Sequence, residues 1–301
     1  MFALLIRHSL LCMFLAAILG FLFPSVSLAV FPFLPYVLFF LMALTLLGIK
    51  QDKLLNRLKD IKVWYYSLLH AVFYMLIIGT VGWLCSANAS LQLAMVAVAA
   101  TGSLFATPAI VRALGFDSLE AMAMTIATTL LLPIVIFVTL LMYQDGDIHL
   151  DLVSYFLRLA IFVFGPMALS FVVHRFAPQE ALEKLLFKFS PYTILLVFAF
   201  PFGLIGSFRL LYNDDPMAAL NYLLVAVGLC LLFFIVSLVV YWRSGKEIAL
   251  TAAITSGNRN VLLTYSIAGA LLGPAFLPLA GALQLPTSLL PVITRWLNKR
   301  L

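Results

Sequence analysis

Charged side chains are scarce in this chain: Asp, Glu, Lys and Arg make up 10% of its 301 residues, against 64% hydrophobic ones, and the mean hydropathy is +1.14. So little charge cannot coat a water-soluble globule, in which about a quarter of residues are charged. Cysteine is scarcer still. Cys12, Cys85 and Cys230 lie far apart, in or beside apolar segments, without CxxC or Cys/His spacing. That argues against a disulfide framework or a zinc site and leaves apolar packing as their role. Acids are missing from the apolar runs, since all 12 Asp and Glu fall in loops or near helix ends, with Glu120 and Glu247 at helix starts. No Ser/His/Asp set, paired carboxylates or phosphate-cradling loop occurs in these runs, so nothing points to an enzyme or to a cofactor. The alternating ten-residue pattern of an outer-membrane barrel is also absent. The net charge of +6 is spread among short loops, whereas nucleic-acid binding needs basic residues gathered on one solvated face.

What the chain does have is a succession of apolar runs about 20 residues long, enough to cross a hydrocarbon core of roughly 30 Å as α-helix. Length and polar breaks predict an all-α integral membrane protein with ten spans, at residues 4–23, 32–49, 64–84, 91–111, 120–142, 152–174, 190–208, 218–241, 247–271 and 275–294. Arg7, the run behind it and Ser27-Leu28-Ala29 have the outline of a signal peptide. The run is nearer span length, however, and its removal would spoil the symmetry described next, so it is read as a retained span.

Cytoplasmic loops carry the excess of Lys and Arg. Alternate loops hold Arg7; Lys50, Lys53, Arg57, Lys59 and Lys62; Arg112; Arg175, Lys184 and Lys188; Arg243 and Lys246; and Arg295, Lys299 and Arg300, fifteen of the 18 basic residues. The opposite loops hold Arg209 with Asp145, Asp147, Asp151, Asp214 and Asp215. Both termini are therefore expected in the cytoplasm, with the protein in the inner membrane. Arg158 is near enough to a surface to snorkel or to pair with Asp151. Arg259 is about twelve residues into its span, and a cation at that depth costs roughly 2.5–3.5 kcal/mol on insertion scales.

Ten spans divide into two fives, residues 1–150 and 151–301, and an odd number of crossings makes the halves inverted repeats if they share a fold. Secondary transporters of this plan bind their substrates near the midplane, on helices interrupted by Gly, Pro or polar residues. The corresponding fourth and ninth spans are both interrupted. The fourth carries Thr101-Gly102-Ser103 and Ala106-Thr107-Pro108, and the ninth carries Thr255-Ser256-Gly257-Asn258-Arg259-Asn260. Pro108 is expected to free carbonyls in the preceding turn, and Gly257 to let the chain leave the helix. Asn258 and Asn260 offer amide groups, and Arg259 offers a planar fork suited to an anion. In the fifth span Thr125 and Thr129 share a face ahead of Pro133, beside Thr128. His70 is the internal histidine available for proton coupling.

These ten spans, the Ala106-Thr107-Pro108 break, the Thr-rich fifth span and the run from Thr255 to Asn260 resemble the bile acid:sodium symporter superfamily, as a divergent bacterial-type member. The resemblance implies a panel domain of spans 1, 2, 6 and 7, and a core domain of spans 3–5 and 8–10 in which the interrupted helices cross. It also implies organic anions carried by alternating access. The family's fourth-span Ala-Ser-Asn falls on Ala106, Thr107 and Pro108, and a sodium-binding threonine falls on Thr125. Its Glu-x-Gly-x-Gln-Asn falls on residues 255–260, with Thr255 in place of the acid and Arg259 in place of the glutamine. A residual sodium site would fall on Thr107, Thr125 and Asn260. A lost carboxylate and a gained cation work against holding sodium, so the coupling ion, sodium or proton, stays open. Arsenite-extruding relatives have a fourth-span cysteine with no counterpart here, the nearest being Cys85. The expected partners are the lipid bilayer and a small anionic substrate, with a non-transporting receptor, channel or accessory protein as the alternative.

Overall fold

The structure, a computed structural model, describes residues 9–49, 51–84, 88–143, 152–178 and 193–300, together with residues 180, 182, 184, 186 and 188. Arg7, Lys50, Cys85, Asp145, Asp147 and Asp151 lie outside the described residues. Those described are mostly helical and form no named strand. In order they build α1 (Ser9–Leu22), α2 (Pro24–Leu47), α3 (Gln51–Leu58), α4 (Ile61–Leu84), α5 (Ala89–Ala100), α6 (Thr107–Leu114), α7 (Ser118–Tyr143), α8 (Val153–Phe176), α9 (Leu195–Asp214), α10 (Pro216–Ser244), α11 (Lys246–Gly257), α12 (Val261–Ala268) and α13 (Phe276–Arg300). Seven of them, α2, α4, α7, α8, α9, α10 and α13, are long and apolar enough to cross a membrane. The other three expected spans coincide with shorter elements: α1, the pair α5 and α6, and the pair α11 and α12.

The outer helices turn apolar side chains outward. On α10, Leu220, Leu224, Leu231, Ile235 and Val239 are all exposed, at helical spacings that draw one stripe along the helix. In water such a stripe would be an aggregation surface; against hydrocarbon it is the outer face of an integral membrane protein. The inner helices differ. α5 from Leu93 onward and α11 from Ala249 onward are buried almost all round, and their small residues let neighbouring backbones come close.

Several element boundaries depart from the expectation. A new helix begins at Pro24 rather than near residue 32, because proline at the first helical position loses only an amide that has no helical partner there. Ser27 therefore lies inside α2, fully buried, and its hydroxyl donates to Phe202 O of α9 at 2.7 Å. Arg209 is expected in a loop, but α9 continues to Asp214, and the guanidinium lies over the rings of Phe21 and Tyr212, at 4.7 and 5.2 Å. Asp215 caps α10, accepting from Met217 N and Ala218 N. Arg158 is exposed on α8.

Four of the segments rich in Lys and Arg, around Arg57, Arg112, Lys246 and the end of α13, meet at one end of the bundle. Arg57 pairs with the nearly buried Glu120 and with Asp60, Glu247 accepts from Asp117 N, and Lys246 donates to Asn298 O. Farther into the bundle, glycines set the helix spacing. A Cβ on Gly257 would strike the tip of Leu290, a flexible target, whereas one on Gly281 would lie 2.7 Å from the backbone oxygen of Leu204. Gly281→Ala is therefore expected to lower the Tm of the purified protein more than Gly257→Ala, by the equivalent of about 1–3 kcal/mol of overpacking. Equal Tm values would contradict this account of the α9–α13 contact.

Candidate functional site

Two helices stop in the middle of the bundle and their loose ends meet. α5 ends at Ala100, after which Thr101 is extended (φ −63°, ψ 138°). α11 ends at Gly257, and Asn258 is extended likewise (φ −89°, ψ 94°). The two unwound segments cross antiparallel at Ser103 and Arg259: Leu104 N donates to Asn258 O, and Asn260 N donates to Gly102 O, both at 2.9 Å. Each break thus supplies partners that hydrocarbon would deny the other. Pro108 has a different part from the one expected. It sits in the first turn of α6, where no amide is needed, so it opens the second half-helix instead of kinking a continuous one.

Arg259 fills the centre of the crossing and is 5% exposed. Its Nη1 donates to three carbonyls, His70 O at 3.0 Å, Ala99 O at 3.1 Å and Thr101 O at 2.9 Å. Backbone accounting explains why these oxygens are free. Leu69–Phe73 is a π-helical turn within α4, and it sends Tyr74 N to Leu69 O, so His70 O loses its α-helical donor. Ser103 N, the helical donor due to Ala99 O, goes instead to the Thr128 hydroxyl at 3.1 Å. Thr101 O lies at the C-terminal, partially negative end of α5, which favours a cation. The guanidinium carbon is 3.8 Å from the Phe233 ring centroid and 5.1 Å from that of Tyr74. Among the described residues no carboxylate pairs with Arg259, and its Nε and Nη2 are buried without a hydrogen-bond partner.

Beside the arginine runs a buried polar chain that the sequence reveals only in part. His70 Nε2 faces Thr101 O at 3.1 Å; the carbonyl only accepts, so Nε2 carries the proton and Nδ1 accepts. Nδ1 is 3.0 Å from the Tyr66 hydroxyl and 3.2 Å from Ser256 Oγ. Ser237 donates to Ser256 at 2.6 Å, and the Tyr74 hydroxyl lies 2.8 Å from Ser237. Tyr66, His70 and Tyr74 stand at i, i+4 and i+8 on α4, a spacing visible in the sequence. Ser237 is a lone serine in an apolar span and carries no such signal.

Other expected site residues are turned onto their own helices. Thr255 Oγ1 donates to Thr251 O, Thr125 Oγ1 to Ala121 O, Thr129 Oγ1 to Thr125 O, and Asn258 Nδ2 to Ile254 O. Thr101 Oγ1 donates to Ala97 O and meets Thr264 Oγ1. Thr107 Oγ1 is buried without a partner. Pro108 lines a separate crevice with Thr45, Gly48 and Arg112. Thr128 differs from Thr129 in reaching across to the break. Thr128→Val should strand Ser103 N and destabilise by about 1–3 kcal/mol, whereas Thr129→Val should cost much less. Thermal unfolding of both variants checks this, and equal losses would remove the bridging role from Thr128.

Arg259 and Asn260 also line a narrow crevice of about 380 Å³, a figure that includes space open to solvent. Gln284 and Ser288 add polar groups to its lining, and Met13, Val197, Phe200 and Leu204 add apolar ones. Asn260 caps α12 through its side-chain oxygen, which accepts from Leu263 N at 3.3 Å, while its Nδ2 is buried without a partner. Among the described residues no group of three or more His, Cys, Asp or Glu side chains is placed to hold a metal ion. No protein-family model matches the chain, and no curated protein matches it.

Proposed function

We propose that the protein is a secondary carrier of a small organic anion, working by alternating access as a divergent member of the bile acid:sodium symporter superfamily. In this reading ten spans form two inverted repeats, residues 1–150 and 151–301, in the inner membrane with both termini cytoplasmic. α5–α6 and α11–α12 are the equivalent interrupted spans of the two halves. The observation that carries the reading is Arg259: a buried cation without a carboxylate among the described residues, at the crossing of two broken helices. Such a charge is costly and marks a substrate path by default.

Sodium independence is part of the proposal. Nη1 sits among three carbonyl oxygens, the kind of cluster that would otherwise coordinate a cation, and so the side chain substitutes for the ion. A proton relayed through His70 would have to pass by Tyr66 or Ser256, both buried.

The same three hydrogen bonds favour a second reading, in which Arg259 is a structural knot in a non-transporting receptor, channel or accessory protein. Counterflow in proteoliposomes loaded with a mixture of organic anions separates the two. Saturable exchange across sealed vesicles is the expected result; its absence for every anion, with folded protein in the bilayer, would favour the knot.

A further inference from the structure

We infer that the basic end of α13, with the adjoining end of α10, binds the phosphate of an anionic phospholipid and holds that lipid against the outer face of α13. The inference stands whether or not the protein transports a solute. Along the second half of α13 the exposed positions include Leu289, Val292, Ile293 and Trp296, followed by Lys299 and Arg300. Positions i, i+3, i+4, i+7, i+10 and i+11 share one face of a helix, and at 1.5 Å per residue the stripe is roughly 16 Å long. Its character changes in order from apolar to aromatic to cationic. That is the order of acyl chain, ester region and phosphate in a phospholipid lying alongside, and tryptophan suits the level at which hydrocarbon gives way to headgroups. The Arg300 guanidinium carbon lies over the Trp296 ring, 4.3 Å from a ring centroid, an attraction that keeps the cation beside the indole.

The end of α10 repeats this order. Exposed Ile235 and Val239 lead to exposed Trp242 and Arg243 in the turn that closes the helix. Lys246, the first residue of α11, donates to Asn298 O at 2.5 Å, which ties the α10–α11 corner to the last turn of α13 and sets Arg243 at the same end as Lys299 and Arg300. Among the described residues none of these three cations pairs with a carboxylate. Glu247, the one acid within residues 239–248 and 289–300, accepts from Asp117 N instead. The patch therefore carries uncompensated positive charge directly beside apolar surface, which complements a phosphate that bears acyl chains. Each Lys or Arg at a membrane surface favours anionic lipid by about fivefold. A second copy of this chain is the poorer occupant, because a two-fold interface through this face would set the cations against their own counterparts.

The test is native mass spectrometry of the purified full-length protein in detergent, with thermal shift alongside, on adding phosphatidylglycerol or phosphatidylcholine of the same acyl chains. Phosphatidylglycerol should stay bound and raise the Tm saturably. Phosphatidylcholine should bind at least about tenfold more weakly, because its choline cancels the phosphate charge. The triple variant Arg243→Gln, Lys299→Gln, Arg300→Gln should weaken phosphatidylglycerol binding on the order of a hundredfold, at about fivefold per cation. All three side chains are exposed, so without lipid it should melt like the wild type. A control triple variant removes three exposed cations elsewhere, Lys53→Gln, Lys59→Gln and Lys62→Gln, and should change binding by less than about threefold. Equal losses in the two variants would reduce the effect to diffuse attraction and overturn the inference. So would equal binding of the two lipids by the wild type, or an equal rise in Tm with free glycerol 3-phosphate, which would make the ligand a soluble phosphate. A lipid-free dimer that persists when phosphatidylglycerol is added would give the face to a second copy instead.

Discussion

Replacing Arg259 by Ala should abolish anion exchange and lower stability by roughly 2–5 kcal/mol, the cost of stranding two buried carbonyls. The reason lies in the carbonyls. Without Nη1, His70 O and Ala99 O lose the donor seen here, while Thr101 O keeps the one from His70 Nε2. Each stranded buried group costs about 1–3 kcal/mol, partly offset because the guanidinium no longer has to be dehydrated. Arg259→Lys separates the two roles of the residue. An ammonium can satisfy the carbonyl cluster as a point charge but lacks the planar fork whose Nε and Nη2 are unpartnered here. The Lys variant should therefore unfold close to the wild type in thermal melts and still fail to exchange substrate. Wild-type exchange by the Lys variant would leave Arg259 with a structural role alone.

Sodium should not stabilise the wild-type protein relative to potassium, and Arg259→Gln should create a sodium response. Two unit charges about 4 Å apart repel by about 4 kcal/mol at an effective dielectric of 20, enough to weaken cation binding about a thousandfold. With Arg259 in place, a sodium ion has no access to the oxygens of His70, Ala99 and Thr101. A glutamine removes the charge and leaves those oxygens beside a neutral amide. A ligand present at 100 times its Kd stabilises by about 2.7 kcal/mol, so the gain should be large and saturable in a sodium titration of the melting temperature. A saturable sodium response in the wild type would refute the idea that the arginine substitutes for the ion.

Sequence alone determined that this chain belongs in a membrane, that it is helical, and that two polar interruptions, at residues 101–108 and 255–260, stand out from apolar surroundings. Those conclusions follow from local quantities, namely hydropathy over about 20 residues and the cost of one charge at depth. The depth of Arg259 was legible for that reason. Of Tyr66, His70 and Tyr74 only His70 stands out in the sequence as a candidate functional residue, and the π-helical turn between the two tyrosines keeps the α-helical period from fixing how the three line up.

Only the tertiary structure decided which groups meet. The π-helical turn at Leu69–Phe73 has no residue signature, yet it releases the carbonyl of His70 to Arg259. Thr125, Thr128 and Thr129 look alike in the sequence; Thr128 and Thr129 both donate to Thr125 O, and packing alone makes Thr128 also accept from Ser103 N. Pro108 shows the same limit from the other side: proline marks a break, but whether it kinks a helix or starts one depends on where the preceding chain finds its hydrogen bonds. Phe233 and Ser237, more than 20 residues before Arg259, reach it or its polar neighbours only because α10 packs on α11. Hydrogen-bond satisfaction across a bundle is a property of three-dimensional neighbours, and that is why the charge was visible in one dimension while its three carbonyls and its free edge were not.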